Sequence, residues 1–321
     1  MLCIGLAACG QESGGSGEDQ ITVGLIVKQD TNPFFVQMRR TAEETAEKNN
    51  VELLTAAGES DVDNESQVTA LEYMTARGAK GILITPADSK AIVPAIETAR
   101  KKGVIVIALD TPTEPESAVD ALFATDNAKA GELIGSYAKA RAEQEGIEPK
   151  IAMLDLAPGI TVGQLRHDGF LKGFGIKEGA PEIVGAVDGE GNREKAQAGM
   201  EQLLEQDEDI NIVYTINEPT AFGAAAALEA AGKNQDEVIL VTIDGGCAAL
   251  KNAIRPEIFD ATAQQYPENM ASEGVEAIVQ AARGGPKPRS YVDTGVELIT
   301  TEPVPGVQSR DEGWGTRNCW G

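Results

Sequence analysis

Short apolar runs alternate with longer amphipathic stretches from Ile21 onward, and this alternation constrains the fold more than any other feature of the sequence. The first series reads ITVGLIV, PFFVQMRRTAEETAEKNN, VELLTA, ESQVTALEYMTARG, KGILIT, SKAIVPAIETARKKG and VIVIALD. Runs such as GILIT and VIVIAL are typical of strands buried on both faces, as in a parallel sheet covered by helices. Gly78 and Gly103 stand where helices are expected to end. The pattern predicts an α/β fold.

The alternation occurs twice, which predicts two domains of the same kind. After the loop DTPTEPESA, strand-like runs resume as KIAMLDL, EIVGAVD, INIVYTI, VILVTID and IFDATA, each beside a helical segment. A length of 321 residues is close to that of two average domains. The predicted fold class is therefore α/β, with two doubly wound parallel-sheet domains.

The charge of the chain excludes some partners. Lys and Arg total 27 against 51 Asp and Glu, which gives a formal charge of −24. A surface of this sign repels phosphate backbones, so nucleic acid is not an expected partner. After the first residues, no apolar run reaches the length of about 20 residues that a membrane-spanning helix needs.

The N-terminus reads MLCIGLAACGQESGGSGEDQ, an apolar stretch followed by Gly, Ser and Glu. The run LAAC, ending at Cys9, resembles the lipobox of bacterial lipoproteins, where a signal peptidase cuts before a cysteine that carries a lipid. This resemblance implies that residues 1–20 are a leader and a flexible tether, with Cys9 lipidated. The alternative is a disordered N-terminus in which Cys9 is incidental.

Two cysteines lie outside this leader, Cys247 in IDGGC and Cys319 in RNCWG. An exported chain meets an oxidising environment, which favours a disulfide between them, and this bridge would dock the C-terminal tail. The alternative is two buried free thiols.

Polar and aromatic residues stand just after the predicted strands, where ligands bind in open parallel sheets because loops converge and helix N-termini offer free N–H groups. They are Asn32, Phe34, Phe35, Thr85, Asp110, Asn217, Asp244 and Gln265. Each polar residue alone has an ordinary explanation as a helix cap or turn residue. As a set they suit a sugar, because its hydroxyl groups both donate and accept hydrogen bonds while its C–H faces pack on aromatic rings.

A series of motifs resembles the periplasmic sugar-binding proteins of the ribose-binding type. In order they are VGLIVKQDTNPFF, GILITPADS, ALDTP, FATDNAKAG, LRHDGF, YTINEPTAFGA, TIDGG and ATAQQYPENMASEGVEAI. The tail YVDTGVELITTEPVPGVQSRDEGWGTRNCWG most resembles the fructose-binding members that serve ABC importers. The resemblance extends from Ile21 to the end of the chain. It implies the type I periplasmic binding architecture, a hinged pair of domains that closes on a monosaccharide.

The resemblance also implies a role for each matching residue. Hydrogen bonds to the sugar are implied for Asn32, Asp110, Arg166, Asn217, Asp244 and Gln265, and ring packing for Phe34 and Phe35. Thr85 stands where the ribose-type pattern has Asn, Thr111 where it has Arg, and Gly191 near the position of an aromatic residue. These departures argue against ribose. Fructose is the favoured ligand, and ribose, xylose and galactose are the alternatives.

The pattern and the resemblance together predict two lobes that each use two parts of the chain. The N-terminal lobe comprises residues 21–124 plus 266–294, and the C-terminal lobe comprises residues 125–265 plus 295–321. The chain is then expected to pass between them through a hinge of several strands.

Three other classes of function are less well supported. No nucleophile, acid–base pair or cofactor loop stands in the right context, so neither catalysis nor a cofactor is expected; His167 is predicted to lie at the surface. Asp61, Asp63, Glu65 and Glu72 have the rough spacing of a calcium loop, but Ser66 stands in place of its glycine, so no metal is expected. A sugar-responsive repressor would need a helix-turn-helix before the first strand.

The sequence therefore predicts an extracytoplasmic, lipid-anchored receptor that delivers a monosaccharide to the permease of an ABC importer. It is expected to be a monomer that touches the membrane only through its lipid. A sensory receptor for a sugar or another small polyol is the alternative, since it would use the same closed shape.

Overall fold

Two β-sheets, each covered by helices, organise the protein. The computed structural model describes residues 20–233 and 235–321, and the lipidation predicted at Cys9 lies outside these residues. The strands are β1 (Thr22–Val27), β2 (Glu52–Ala57), β3 (Gly81–Ile84), β4 (Ile105–Leu109), β5 (Ala121–Ala124), β6 (Ile151–Asp155), β7 (Ile183–Asp188), β8 (Ile212–Thr215), β9 (Ile239–Asp244), β10 (Ala261–Gln264), β11 (Tyr291–Asp293), β12 (Glu297–Thr300) and β13 (Arg310–Asp311). The helices are α1 (Pro33–Lys48), α2 (Asn64–Ala76), α3 (Val93–Lys101), α4 (Asn127–Glu145), α5 (Thr161–Phe174), α6 (Arg193–Gln206), α7 (Glu218–Ala230), α8 (Cys247–Ala249), α9 (Pro267–Ala282) and α10 (Glu312–Arg317).

The two sheets differ in one strand pairing. The first has the order β11-β5-β4-β3-β1-β2 and is parallel throughout. The second has the order β13-β12-β10-β9-β8-β6-β7 and is parallel except between β10 and β12. Apolar side chains form a core on both faces of each sheet. The predicted fold class of two doubly wound α/β domains is confirmed, with one antiparallel pair that the sequence pattern did not predict.

The chain passes between the sheets after β5, after β10 and between β11 and β12. Helix α9 packs on α1 and β3 of the first sheet, whereas α4 packs on α5, β9 and β10 of the second. The run YVDTGVELIT, which reads as one strand, is thus divided between the sheets. Every strand of the first sheet lies within the predicted N-terminal lobe and every strand of the second within the predicted C-terminal lobe, while the boundaries themselves remain a prediction.

Helices α4 and α5 pack backbone against backbone through glycines. A Cβ at Gly131 of α4 would lie 2.1 Å from the carbonyl oxygen of Arg166, and a Cβ at Gly169 of α5 would lie 2.3 Å from that of Ala128. Both distances are too short for any side chain, so this approach requires glycine. The close packing brings the N-terminal part of α4 against the middle of α5 and sets Arg166 beside Asn127 at the edge that faces the N-terminal lobe.

The C-terminal tail is fastened to the second lobe. Cys247 and Cys319 form a disulfide, with their Cα atoms 5.0 Å apart. The Cys247 N–H donates a hydrogen bond to the Trp320 carbonyl oxygen at 2.9 Å. Upstream, the Asp311 side chain caps α10 by accepting from the Trp314 N–H at 2.7 Å. The tail therefore ends with Trp320 buried beside the cleft between the lobes.

Replacing both Cys247 and Cys319 by serine is expected to lower the melting temperature. The bridge joins residues separated by 72 positions, and in the chain-entropy model a loop of that length contributes about 4 kcal/mol by constraining the unfolded state. Thermal unfolding with and without reductant measures this effect, and reductant should change the parent protein but not the double variant. Two free thiols in the intact mass of the oxidised protein would contradict the bridge.

Candidate functional site

The carboxyl ends of the two sheets meet at a cleft, and buried polar side chains follow the strands there. They are Thr85 and Asp110 after β3 and β4 in the N-terminal lobe, with Asn217, Asp244 and Gln265 at the ends of β8, β9 and β10 in the C-terminal lobe. Arg166 of α5 and Asn32, just before α1, reach the same junction. The fold therefore gathers the polar residues that the sequence predicts for the site.

Arg166 connects the lobes through a buried ion pair. Its Nη2 donates to Asp110 Oδ1 at 3.2 Å, its Nε to Asn127 Oδ1 at 2.7 Å, and its Nη1 to the Ile216 carbonyl oxygen at 3.1 Å. Asp110 also accepts from the Thr111 hydroxyl at 3.0 Å. Because both charges are removed from water, these hydrogen bonds are needed to offset their desolvation. The guanidinium is thereby fixed at the centre of the cleft.

Asp244 and Glu218 form a buried acidic pair on the C-terminal side. Asp244 accepts from Gln265 Nε2 at 2.7 Å and from the Glu218 N–H at 3.1 Å, and Glu218 accepts from the Gly246 N–H at 2.6 Å. Burial raises the pKa of Asp244 to about 6 despite the nearby Arg166 charge. Burial, together with Asp244, raises the pKa of Glu218 well above its usual range. Burial and the repulsion between the two carboxylates therefore favour the protonated form of Glu218.

Asn32 and Asn217 are helix caps, as their ordinary explanation predicts. Asn32 Oδ1 accepts from the Phe34 N–H at 2.9 Å, and Asn217 Oδ1 accepts from the Thr220 N–H at 3.1 Å. Capping uses only the amide oxygens, so both amide nitrogens remain as donors. Thr85 Oγ1 and Gln265 Oε1 are buried with no hydrogen-bond partner in the described part of the chain. Such atoms are costly unless a water molecule or a ligand bonds to them.

The two predicted aromatic residues have a third partner that sequence reasoning missed. Phe34 packs edge-on against Phe35, with ring centroids 5.4 Å apart, and edge-on against Trp320 at 5.7 Å. The Trp320 Nε1 donates to the Gln265 carbonyl oxygen at 2.7 Å. Both phenylalanines belong to the apolar core of the N-terminal lobe. Trp320 thus stands between the lobes, although its position 55 residues after Gln265 gives no sequence signal of this contact.

Lys28 and Asp61 are further buried charges that the sequence reasoning did not assign to the site. Burial lowers the pKa of Lys28 and raises the pKa of Asp61, and each feels the charges of Asp110 and Arg166. The available signal was the lysine directly after the apolar run of β1, since lysine is almost never fully buried without a function or a partner. Asp63 takes the ordinary role in this segment, as the cap of α2.

Gly191, near the position of the missing aromatic ring, packs closely across the cleft. A Cβ there would lie 2.7 Å from Asp61 Oδ2 of the other lobe and 3.0 Å from Asn217 Nδ2. A cavity of about 570 Å³ opens beside it and is lined by both lobes and the tail, including Asn32, Glu218 and Trp320. Gly191 thus borders this cavity, but it packs so closely against the other lobe that a side chain would not fit at this position.

His167 does not lie at the surface as predicted. Its ring nitrogens contact Asp155 at 3.0 Å and Glu178 at 2.8 Å, and 14% of its side chain is exposed. The hydrogen bond with Asp155 is the main cause that raises the pKa of His167 to about 9. The side chain turns to β6 because the neighbouring carboxylates stabilise its charged form. It serves as a structural cation on α5, the helix that carries Arg166.

Loops of the two lobes also form direct hydrogen bonds across the cleft. The Ser89 N–H, between β3 and α3, donates to the Gly159 carbonyl oxygen at 3.1 Å, and the Ser89 hydroxyl accepts from the Thr161 N–H at 3.2 Å. Thr161 is the first residue of α5, whose own N-cap residue, Ile160, makes no capping hydrogen bond through its side chain. Ser89 therefore caps a helix of the opposite lobe.

Known proteins share this architecture over most of its length. The model of the periplasmic binding protein domain matches residues 23–286. The chain belongs to this family. The ribose import binding protein of Bacillus subtilis (strain 168) is 30% identical over 279 residues, which are 85% of this chain and 87% of that protein. The resemblance to periplasmic sugar-binding proteins of the ribose-binding type is thereby confirmed.

Two solved structures of solute-binding proteins extend the comparison. One, from Actinobacillus succinogenes 130z with bound D-allose, has a TM-score of 0.75 and 27% identity, covering 88% of this chain and 98% of that chain. The other, from Agrobacterium vitis with bound D-fucose, has a TM-score of 0.79 and 26% identity, covering 89% and 97%. Because the relatives are binding proteins for import, the prediction that the chain is not an enzyme is confirmed.

Members of the family act outside the cytoplasm, in agreement with the predicted extracytoplasmic location. Among the residues that the structure describes, no helix is both long and apolar enough to cross a membrane.

Ser89→Ala is expected to weaken ligand binding without unfolding the protein. It removes the cap that α5 receives only while the lobes are in contact, and a helix cap contributes about 1 kcal/mol, so the dissociation constant should rise about fivefold. Calorimetric titration with a sugar that the parent protein binds measures this change in the dissociation constant. Ser272→Ala is the matched control, because the Ser272 hydroxyl bonds to Glu268 within α9. Equal affinities of the Ser89 and Ser272 variants would show that the contact does not hold the lobes together.

Proposed function

We propose that the protein captures one monosaccharide between its lobes and delivers it to the permease of an ABC importer. The observation that carries this proposal is that two buried oxygens of the cleft, Thr85 Oγ1 and Gln265 Oε1, have no hydrogen-bond partner among the residues that the structure describes. A sugar hydroxyl both donates and accepts, so it suits a cleft that offers both kinds of group. The family membership supports the same function.

The polar residues take different parts in this proposal. Asp110, Asp244 and Arg166 make the strongest bonds to the sugar, because charge-assisted hydrogen bonds are about twice as strong as neutral ones. The free amide nitrogens of Asn32 and Asn217 donate from opposite lobes. Thr85 and Gln265 supply the two unpartnered oxygens. Phe34 and Phe35, with Trp320 edge-on to Phe34, form the apolar side on which the C–H face of the sugar packs.

Fructose is our first candidate for the ligand. The C-terminal tail supports it by its resemblance to fructose-binding proteins. Gly191 stands near the position where the ribose-type pattern has an aromatic ring, and this departure argues against ribose. Ribose, D-allose and D-fucose are further candidates. Ribose is in the name of a relative, and D-allose and D-fucose are bound in the two solved structures. Xylose and galactose complete the set.

Capture proceeds by closure of the lobes around the sugar. Contacts such as Arg166 with Asp110 and Ser89 with Thr161 form only when the lobes are together. A ligand held by both lobes stabilises the closed arrangement and so shifts the population towards it. The permease then recognises the closed shape, while the sugar itself stays buried.

A lipid on Cys9 keeps the receptor beside its permease in this proposal. Residues 10–20 follow Cys9 and precede β1 in the sequence. Stable anchoring takes more than one acyl chain, which a lipoprotein provides. The disulfide between Cys247 and Cys319 agrees with an oxidising location outside the cytoplasm. We expect one copy of the chain to suffice, since both lobes of the cleft come from the same chain.

A thermal-shift screen tests the proposed function. The protein is heated with fructose, ribose, allose, fucose, xylose, galactose or inositol, and a sugar at a hundred times its dissociation constant should add about 2.7 kcal/mol of stability. One strong shift, expected for fructose, supports the receptor and identifies its ligand. No shift with any of these sugars contradicts monosaccharide capture.

Asp110→Asn and Arg166→Lys are expected to reduce affinity more than Thr85→Val does. Each of the first two substitutions alters a charged group that bonds to the ligand, so the affinity should fall by about 10- to 100-fold. Thr85→Val removes one neutral hydroxyl, so the affinity should fall by about fivefold. Calorimetric titrations with the sugar from the screen give the ratios. Melting curves without sugar identify any variant that has lost its fold. If the Arg166 variant is folded and binds the sugar as tightly as the parent, Arg166 does not contact the ligand.

A further inference from the structure

Lys28 is the least expected side chain in the cleft. It follows β1 directly and is 1% exposed. Its ammonium group has no hydrogen-bond or ion-pair partner within residues 20–233 and 235–321. A buried cation without a partner lowers stability by its desolvation, which is the main reason why the pKa of Lys28 is lowered. A lysine kept in such a position therefore points to a bonding partner that the protein chain does not supply.

Asp61 has a hydrogen-bond partner for only one of its two carboxylate oxygens. Its Oδ1 accepts from Gln29 Nε2 at 2.7 Å, whereas no described residue donates to Oδ2. Asp61 is 2% exposed, and Gly191 of the opposite lobe lies close to this second oxygen, which places Asp61 where the two lobes meet. One oxygen is thus held in place by the protein, and the other is left as an oriented acceptor.

The charges of Lys28 and Asp61 interact without touching. Each is the largest electrostatic partner of the other, and both also feel Asp110 and Arg166. No ion pair joins Lys28 to Asp61. A buried cation and a buried carboxylate therefore lie near the junction of the lobes without bonding to each other.

We propose that Lys28 and Asp61 together bind one hydroxyl group of the ligand and make that hydroxyl a requirement for recognition. The inference rests on the proposed function and names its specificity determinant. The hydroxyl oxygen accepts a hydrogen bond from the ammonium of Lys28, and its proton is donated to Asp61 Oδ2, so all three groups are satisfied at once. An apolar group bound between Lys28 and Asp61 would form neither hydrogen bond, and an anion there could accept from Lys28 but could not donate to Asp61.

The charge around this place also defines the class of ligand. Two cations, Lys28 and Arg166, face three carboxylates, Asp61, Asp110 and Asp244. A neutral polyol adds no charge to this balance, whereas a sugar phosphate or a sugar acid places another anion beside buried carboxylates. The site therefore selects a neutral sugar that carries the hydroxyl in question.

Loss of the hydroxyl should be severe because it leaves two buried charges without a partner. Sites built to hydrogen-bond a hydroxyl reject the analogue that lacks it by factors of about 10⁴ to 10⁵. A position lined by neutral groups discriminates much less. The effect of removing individual hydroxyls from the sugar can therefore identify this pair.

The experiment compares the sugar that gives the largest shift in the screen with its complete set of monodeoxy derivatives. Calorimetric titrations are carried out on the parent protein and on the double variant Lys28→Met/Asp61→Asn. On the parent, one derivative should bind at least about a hundredfold more weakly than the sugar. On the double variant, that derivative and the sugar should differ by less than about threefold, while the other derivatives lose the same factors as on the parent.

The matched control is Lys80→Met/Glu72→Gln, which removes one cation and one anion from exposed positions of the same lobe. It should retain the discrimination of the parent. The melting temperature without sugar is a second readout. The Lys28→Met/Asp61→Asn variant should melt no lower than the parent, since it removes two buried charges that the protein does not pair. If the double variant does not fold, Asp61→Asn alone is used, and the same loss of discrimination is expected.

Two results separate the inference from the function on which it rests. If the parent binds a sugar but the double variant discriminates among all derivatives as the parent does, the assignment of Lys28 and Asp61 is wrong and the proposed function stands. If the parent binds none of the sugars, the proposed function fails, and this assignment fails with it.

Discussion

The buried ion pair between Arg166 and Asp110 is the interaction on which the arrangement of the cleft depends. It joins a helix of one lobe to a strand end of the other. Removing two charges from water costs several kcal/mol for each ion, and the pair is tolerated only because Asn127, Thr111 and the Ile216 carbonyl oxygen complete its hydrogen bonds. Any separation of the lobes must break this network and hydrate both charges. A ligand that bonds to the same groups therefore acts directly on the balance between open and closed lobes.

The backbone is adapted to hold these charges. Asp110 and Asp244 have φ values of 60° and 133°, in the region that residues with a Cβ rarely adopt. Such strain persists where the surrounding structure fixes the residue, and it clusters at functional sites. In the C-terminal lobe, the glycine contact of α4 with α5 places Arg166 beside Asn127 at the cleft. Strand ends and close helix packing thus both position side chains of the site.

Much of the site was accessible from the sequence, because the predicted polar residues other than Arg166 follow strands that can be recognised by their apolar runs, and a motif resemblance supplied Arg166. Asp110 and Asp244 are examples, and both are buried where parallel strands end. Lys28 and Asp61 were missed since one reads as the end of a strand and the other as part of a charged helix start. Ser89 and Trp320 were missed for a different reason, namely that their partners Thr161 and Gln265 lie 72 and 55 positions away. His167 was assigned to the surface because the carboxylates that surround it come from other elements.

The sequence by itself determined the two α/β lobes, the family and the strand ends at which the candidate site lies. These features are local, because periodicity, turns and short motifs are written in consecutive residues. Only the tertiary structure decided which hydrogen-bonding atoms remain without partners, which charges stand close without pairing, and which lobe caps helix α5. These properties depend on distances between residues far apart in the chain. Burial decides how much a missing hydrogen bond costs, since a polar group without a partner is costly only where water cannot reach it.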